Sequence, residues 1–145
     1  MTRMSDVPVP AQRFSFDVPV RFRDVDALGH VHHSLALMYV EEARAAYWRE
    51  VAGRPTIDDI DYVIGEVRVR YHARIMYPGT VKVGVGVTRI GRRSITMSFD
   101  VRSGTGELLV SGETVQVMFD NTRGESMDVT PELRALIRDY EGREL

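Results

Sequence analysis

Between Arg21 and His33 the chain places two carboxylates, Asp24 and Asp26, and three of its four histidines, His30, His32 and His33, with Gly29 between the two groups. A carboxylate can take a proton from water or attack a carbonyl carbon directly. An imidazole can orient a substrate or share a proton with that carboxylate. The first turn of a helix leaves backbone N–H groups without intrahelical acceptors, and such donors can hold an oxyanion. Acyl transfer needs no more than these parts. Each residue also has a plainer reading. Asp26 can serve as a turn or cap aspartate, Asp24 as a ligand of backbone or of an arginine that shapes the turn, and His33 as a helix cap. His30 reads as packing of the turn and His32 as surface.

The elements around this stretch must hold it in place. Before it, Phe14, Phe16, Val18, Val20 and Phe22 alternate with Ser15, Asp17, Pro19 and Arg21, the period of a strand with one buried face. Pro19 cannot donate to a ladder, so the strand lies at an edge or carries a bulge. After it, Ala36, Val40, Ala43, Tyr47 and Val51 recur at helical spacing. Ser34 is placed to cap that helix, and Gly53 with Pro55 to stop it. The stretch Leu35 to Val40 is apolar on all sides, which predicts burial of the first half, with the charged second half reaching solvent. Four strand patterns follow: Val63, Gly65, Val67, Val69 and Tyr71; Val81 to Val87; Ile95 to Val101; and a stretch from about Leu108 through Val115, Val117 and Phe119. Turn-rich connections join them, as in an antiparallel meander. Thr130-Pro131-Glu132 opens a short final helix. The order predicts an α+β layer: an antiparallel sheet of about five strands wrapped around one long central helix.

The chain has 145 residues, enough for one domain with a real core, and carries a net charge of −2. No basic stripe favours nucleic acid, and no apolar run is long enough to span a bilayer. Residues 1–13, with Pro8 and Pro10, read as a flexible arm before a single domain over 14–145. The chain has no cysteine, which excludes disulfides and a thiol nucleophile and fits a cytoplasmic location. No Gly-x-Ser-x-Gly, Walker A or Gly-x-Gly-x-x-Gly motif is present. The histidines lack the His-Glu-x-x-His order of zincins, so no metal and no cofactor is expected.

The segment from Arg21 to Val31, RFRDVDALGHV, followed by Tyr39-Val40-Glu41-Glu42-Ala43-Arg44, resembles the signature of hot-dog-fold acyl-CoA thioesterases. The branch it is most similar to is the 4-hydroxybenzoyl-CoA thioesterase family with its Tol-Pal-associated relatives. Tyr77-Pro78-Gly79-Thr80, Gly91-Arg92-Arg93-Ser94 and Val117-Met118-Phe119-Asp120 agree with it, so the likeness spans roughly residues 14–138. The resemblance implies hydrolysis of an acyl-CoA to free acid and CoA, in a homodimer or homotetramer with active sites at the subunit interface. It implies that Asp26 is the catalytic carboxylate and that His33, seven residues on, assists it. Backbone N–H groups around Gly29, His30 and Val31 would polarise the carbonyl, and Arg92 and Arg93 are candidates to hold CoA phosphates. The chain departs from the pattern at Phe22, where the Tol-Pal-associated relatives carry Tyr, and at Ala36, where the family often carries Tyr. The rival readings are a hot-dog protein that binds acyl-CoA or an acyl carrier without hydrolysis, and a metal-dependent hydrolase using the histidine cluster.

Overall fold

Alternation from Phe14 produces β1 (Phe14–Pro19), which pairs antiparallel with β3 (Thr80–Ile90) along one edge of the sheet. Pro19 stands opposite Thr80 at the end of that edge strand, where its missing N–H costs nothing. The remaining strands are β2 (Tyr62–Tyr71), β4 (Ser94–Arg102), β5 (Leu108–Asp120) and the two-residue β6 (Glu125–Ser126). The order across the sheet is β1-β3-β4-β5-β2, all antiparallel, with β6 paired to the far end of β5. The structure, a computed structural model, describes residues 12–145; the stretch read as an arm lies outside them except for its last two residues. Of those two, Gln12 donates to Ser98 Oγ at 2.8 Å and Arg13 donates to the Tyr140 carbonyl.

The expected single long helix is a 16-residue helix, α1 (Leu35–Glu50), supplemented by the 11-residue α2 (Pro131–Glu141). Helix α1 packs on β1, β3 and β4, covering Val81, Val83, Val85, Val87, Met97 and Phe99, all buried. Its predicted face is buried, and Ala36, Tyr39 and Val40 bury the first half as expected, while Glu41, Arg49 and Glu50 reach solvent; the burial departs from the expectation at single positions. Met38 in the first half is 52% exposed, whereas Ala43, Arg44, Ala46, Tyr47 and Trp48 in the second half are buried. Ser34 does not cap α1 with its side chain; its own N–H donates to His32 Nδ1 at 3.2 Å, so the imidazole takes the capping role. Thr130 caps α2 as expected, its Oγ1 accepting from the Leu133 N–H at 3.2 Å.

Two strand readings need correction. A bulge between Ile64 and Glu66 shifts the register of β2, so Tyr62, Ile64, Val67, Val69 and Tyr71 face the α1 side, while Val63 turns outward with Glu66, Arg68 and Arg70. In the second half of β5 the buried residues are Thr114, Gln116 and Met118, while Val115, Val117 and Phe119 are only half-buried. Gln116 is fully enclosed, accepts from Thr114 Oγ1, and leaves its Nε2 without a partner among the described residues.

The two sheet edges are finished differently. Beyond Val85, where β1 ends, the open edge of β3 is closed by α2 and the residues after it. Glu141 accepts from the Val87 N–H at 3.1 Å and from the Tyr47 hydroxyl at 2.6 Å, and Arg143 donates to the Val87 carbonyl at 2.9 Å. Burial and the Glu141 carboxylate push the Tyr47 hydroxyl far above its usual range, so it remains a donor. On the other side β2 has no neighbour beyond it among the described residues, and Ile64, Val67 and Tyr71 are 41%, 41% and 46% exposed.

Candidate active site

The chain leaves β1, makes one 3-10 turn (Phe22–Asp24), and returns through a tight turn into α1. Asp24 is the anchor of this turn. It is buried and accepts from the Arg21 N–H at 3.2 Å and from the Tyr39 hydroxyl at 2.5 Å. Tyr39 is itself buried; that burial and the adjacent carboxylate hold its hydroxyl protonated well above the usual range. The backbone of Asp24 accepts from His32 N–H at 3.0 Å, so both ends of the turn are tied to one residue. Gly29 has a φ of 86°, a left-handed conformation that a side chain would strain, and its N–H donates to the Asp26 carbonyl at 3.1 Å.

Asp26 is half-buried. Its Oδ1 accepts from the Leu28 N–H at 2.8 Å, the turn role expected of an aspartate here, while Oδ2 carries no hydrogen bond among the described residues. One carboxylate oxygen therefore fixes the side chain and the other is free for chemistry. Asp26 lines a cleft of about 430 Å³ together with Ala36, Tyr71 and all four histidines, His30, His32, His33 and His72. His32 and His33 stack with ring centroids 4.3 Å apart, and His33 meets the Tyr71 ring edge-on at 6.2 Å. The Tyr71 hydroxyl, lifted above its normal range by burial, donates to the His33 carbonyl at 2.7 Å. The His33 ring nitrogens and N–H make no hydrogen bond among the described residues. Of the amides named from the sequence, those of Gly29 and Val31 are occupied, by Asp26 and by the Ile75 carbonyl at 2.9 Å. The His30 and His33 N–H groups are the ones left open.

A carboxylate with one fixed oxygen, unpaired imidazole nitrogens and open amides at a helix start form an arrangement able to activate water beside a carbonyl. A family model, the thioesterase-like superfamily, matches residues 20–137. The chain belongs to the thioesterase-like superfamily. Among solved structures similar to this thioesterase-like chain is a thioesterase from Thermus thermophilus complexed with coenzyme A and Zn, 31% identical, covering 94% of this chain and 100% of that one, with a TM-score of 0.83. A thioesterase-superfamily structure from Jannaschia sp. CCS1, 21% identical with a TM-score of 0.82 and covering 92% and 97% of the two chains, shares the fold. The Bacillus subtilis (strain 168) protein YsmA is 24% identical over 131 residues, which cover 88% of this chain and 89% of that protein. The fold of the thioesterase-like chain is thus the α+β arrangement of an antiparallel curled sheet and helices.

Arg92 and Arg93 do not join the cleft. They sit in the β3–β4 turn, where both pair with Asp128, at 3.4 Å and 2.9 Å, and Arg93 also donates to Ser126. That turn is at the Tyr62 end of the sheet; Asp26 is at the Tyr71 end. A larger cleft of about 610 Å³ on the outer face, bordered by Arg68, Arg70 and Glu113, contains none of the site residues expected from the sequence. Among the described residues no three His, Asp or Glu side chains converge as a metal shell, and no helix is long and apolar enough to cross a membrane. The residue the sequence did not reveal is His72. It follows β2, lines the cleft, bonds Ser111 Oγ through Nε2 at 2.8 Å, and keeps a buried Nδ1 without a partner among the described residues. The only sequence signal was its place one residue beyond a strand pattern.

Proposed function

We propose that this chain hydrolyses the thioester of an acyl-CoA to the free acid and CoA, in the manner of the 4-hydroxybenzoyl-CoA thioesterase family. The observation that carries the reading is the free Oδ2 of Asp26, on a side chain fixed through Oδ1, in the histidine-lined cleft. Asp26 accepts a proton from water as the water oxygen bonds to the thioester carbon, or bonds to that carbon itself and forms an anhydride that water then opens. The carbonyl oxygen, gaining charge, lies against the open N–H groups of His30 and His33. Collapse expels the CoA thiolate, a stable leaving group. The likeness to a thioesterase that holds coenzyme A supports the CoA moiety. The test is a panel of acyl-CoA substrates read with a thiol-reactive dye; binding without release of thiol would favour the non-hydrolysing alternative.

His33 assists by orienting the thioester or sharing a proton with Asp26, whereas His32 has its Nδ1 committed to the start of α1. His33→Ala therefore lowers turnover at least ~tenfold with a normal melting curve. His32→Ala shows mainly in stability, by about 1 kcal/mol, the scale of a lost cap. Equal and small losses of rate from both would remove His33 from the chemistry.

The assembly is a homodimer joined through the open edge of β2. The exposed Ile64, Val67 and Tyr71 of β2 and its ten residues without an outer neighbour among the described residues support this reading. Antiparallel pairing there brings the Tyr62 end of a second copy, with its Arg92 and Arg93, toward the Tyr71 end of the first, the one route by which those arginines approach a bound CoA. Sedimentation is expected to show a dimer or a multiple of it at micromolar concentration; a monomer alone would remove the shared site.

A further inference from the structure

The outer-face cleft of about 610 Å³ is large enough for a small organic ligand, and the chemistry at Asp26 leaves it unused. Its two walls are built differently. One is β2, from which Arg68 and Arg70 project on the outer face, two residues apart and so about 7 Å from each other. The other wall stands over β3. A Cβ at Gly86 would meet Gln12 Oε1 at 2.5 Å, so the missing side chain there lets Gln12 lie against the strand, where it bonds Ser98. Arg13 and Arg143 flank it, donating to the carbonyls of Tyr140 and Val87. Strands β3 and β2 are separated by β4 and β5, a span of roughly 14 Å at the usual strand spacing. Arginine side chains from both walls can therefore reach a single molecule lying over Ser98 and Ser111.

The charge in the cleft is one-sided. Four arginines line it against two glutamates. Glu141 is spent on the Tyr47 hydroxyl and the Val87 N–H. Glu113 meets Arg68 at 3.3 Å in an exposed pair, the kind that contributes little. Arg13 and Arg143 donate to neutral carbonyls, which leaves their charges uncompensated. Arg70 makes no hydrogen bond or ion pair among the described residues. A guanidinium stays charged, and its planar fork suits phosphate oxygens. On the floor, Ser98 Oγ accepts from Gln12 at 2.8 Å, so its own proton is left to donate. Gly112, with no side chain, completes an apolar strip with Val69 and Phe99 between the charged groups.

We infer that this cleft is a second binding site, for a phosphate-bearing anion of nucleotide size. Arg68 and Arg70 hold the anion from one side, Arg13 and Arg143 from the other, and Ser98 donates to it from the floor. The site is separate from the Asp26 cleft and stands whether or not that cleft hydrolyses thioesters. One contact joins the two: Ser111, on the floor of the outer cleft, bonds His72, which lines the Asp26 cleft. A free nucleotide and the nucleotide end of CoA offer the same phosphate chemistry.

Calorimetric titration of the full chain with ADP and with inorganic pyrophosphate tests it. Both should bind, and more weakly as salt is raised. Arg70→Ala should lower the affinity for ADP about tenfold, the scale of one hydrogen bond to a charged group, and Arg70→Glu should remove measurable binding. Arg70 is exposed and bonds nothing among the described residues, so both variants should melt like the wild type. Arg92→Ala, at the far end of the sheet, should bind ADP as the wild type does. Unchanged ADP affinity in Arg70→Glu, a loss with Arg92→Ala in place of Arg70→Ala, or no binding of either anion at millimolar concentration overturns the proposal. CoA added to the ADP-saturated protein names the source. Displacement of ADP assigns the cleft to the nucleotide end of CoA, and simultaneous binding assigns it to a free nucleotide.

Discussion

Asp26→Asn is expected to lower acyl-CoA hydrolysis by about a hundredfold or more, the scale for removing a general base or carboxylate nucleophile. The amide oxygen of Asn can still accept from the Leu28 N–H, which in the native turn lies 2.8 Å from Asp26 Oδ1. The turn, the cleft and the affinity for a product analogue should therefore persist, and the melting temperature should stay near wild type. Asp24→Asn should behave in the opposite way. Its carboxylate is buried and accepts from the Arg21 N–H and the Tyr39 hydroxyl. An amide brings two donors into a site with donors already present, costing roughly 1–3 kcal/mol. Initial rates and thermal melts of both variants are the measurements. Near-wild-type turnover by a normally melting Asp26→Asn protein would sink the mechanism and shift attention to His33.

The largest loss of stability is expected at Trp48. The side chain is 1% exposed, its Nε1 donates to Asp61 Oδ1 at 2.9 Å, and Asp61 in turn holds Arg54 at 2.7 Å. Trp48→Ala removes the ring from the second half of α1, where the helix is most deeply seated, and leaves a carboxylate oxygen unpaired. The cost should be about 3–5 kcal/mol, lowering the melting temperature by roughly 10 °C. Trp48→Phe keeps most of the volume and should lose about 1–2 kcal/mol, chiefly the hydrogen bond. Chemical denaturation separates the two. Equal, small losses would mean that the Tyr62 end of α1 is not part of the core.

Several features were legible because they rest on local chemistry. Pro19 announced an edge strand, Thr130-Pro131 a capped helix, and the Asp-x-Asp turn its two different aspartates, one anchoring and one exposed to the cleft. The apolar spacing of Ala36, Val40, Ala43 and Tyr47 marked the buried face of α1. What escaped depended on partners distant in sequence. The bulge at Gly65 exchanges the faces of β2 in mid-strand, so a simple alternation put Val63 on the wrong side. On β5, counting apolar residues favoured Val115 and Val117, while the core takes Thr114 and Gln116, which satisfy part of their polarity with each other. Ser34 looked like the cap, but the imidazole of His32 reaches the helix start instead. His72 carried no local signal, because its place in the cleft is set by the pairing of β2 with β5, through Ser111.

The closure of β3 by Glu141 and Arg143 has a consequence for how the protein behaves in a crowded solution. A strand with bare N–H and C=O groups is a template on which other chains can add, and proteins that cannot hide such edges tend to coalesce. Here the part of β3 that β1 leaves unpaired is blunted by two charged side chains gripping the Val87 amide and carbonyl, while the edge along β2 is bare among the described residues. On the β3 side the strand left at the edge is β1, six residues long with Pro19 at its end, whereas β2 offers ten, so strand addition is expected to favour β2. Loss of the last five residues, which include Glu141 and Arg143, would bare the Val87 amide and carbonyl and lengthen the template on the β1 side, making that side a better competitor for strand addition.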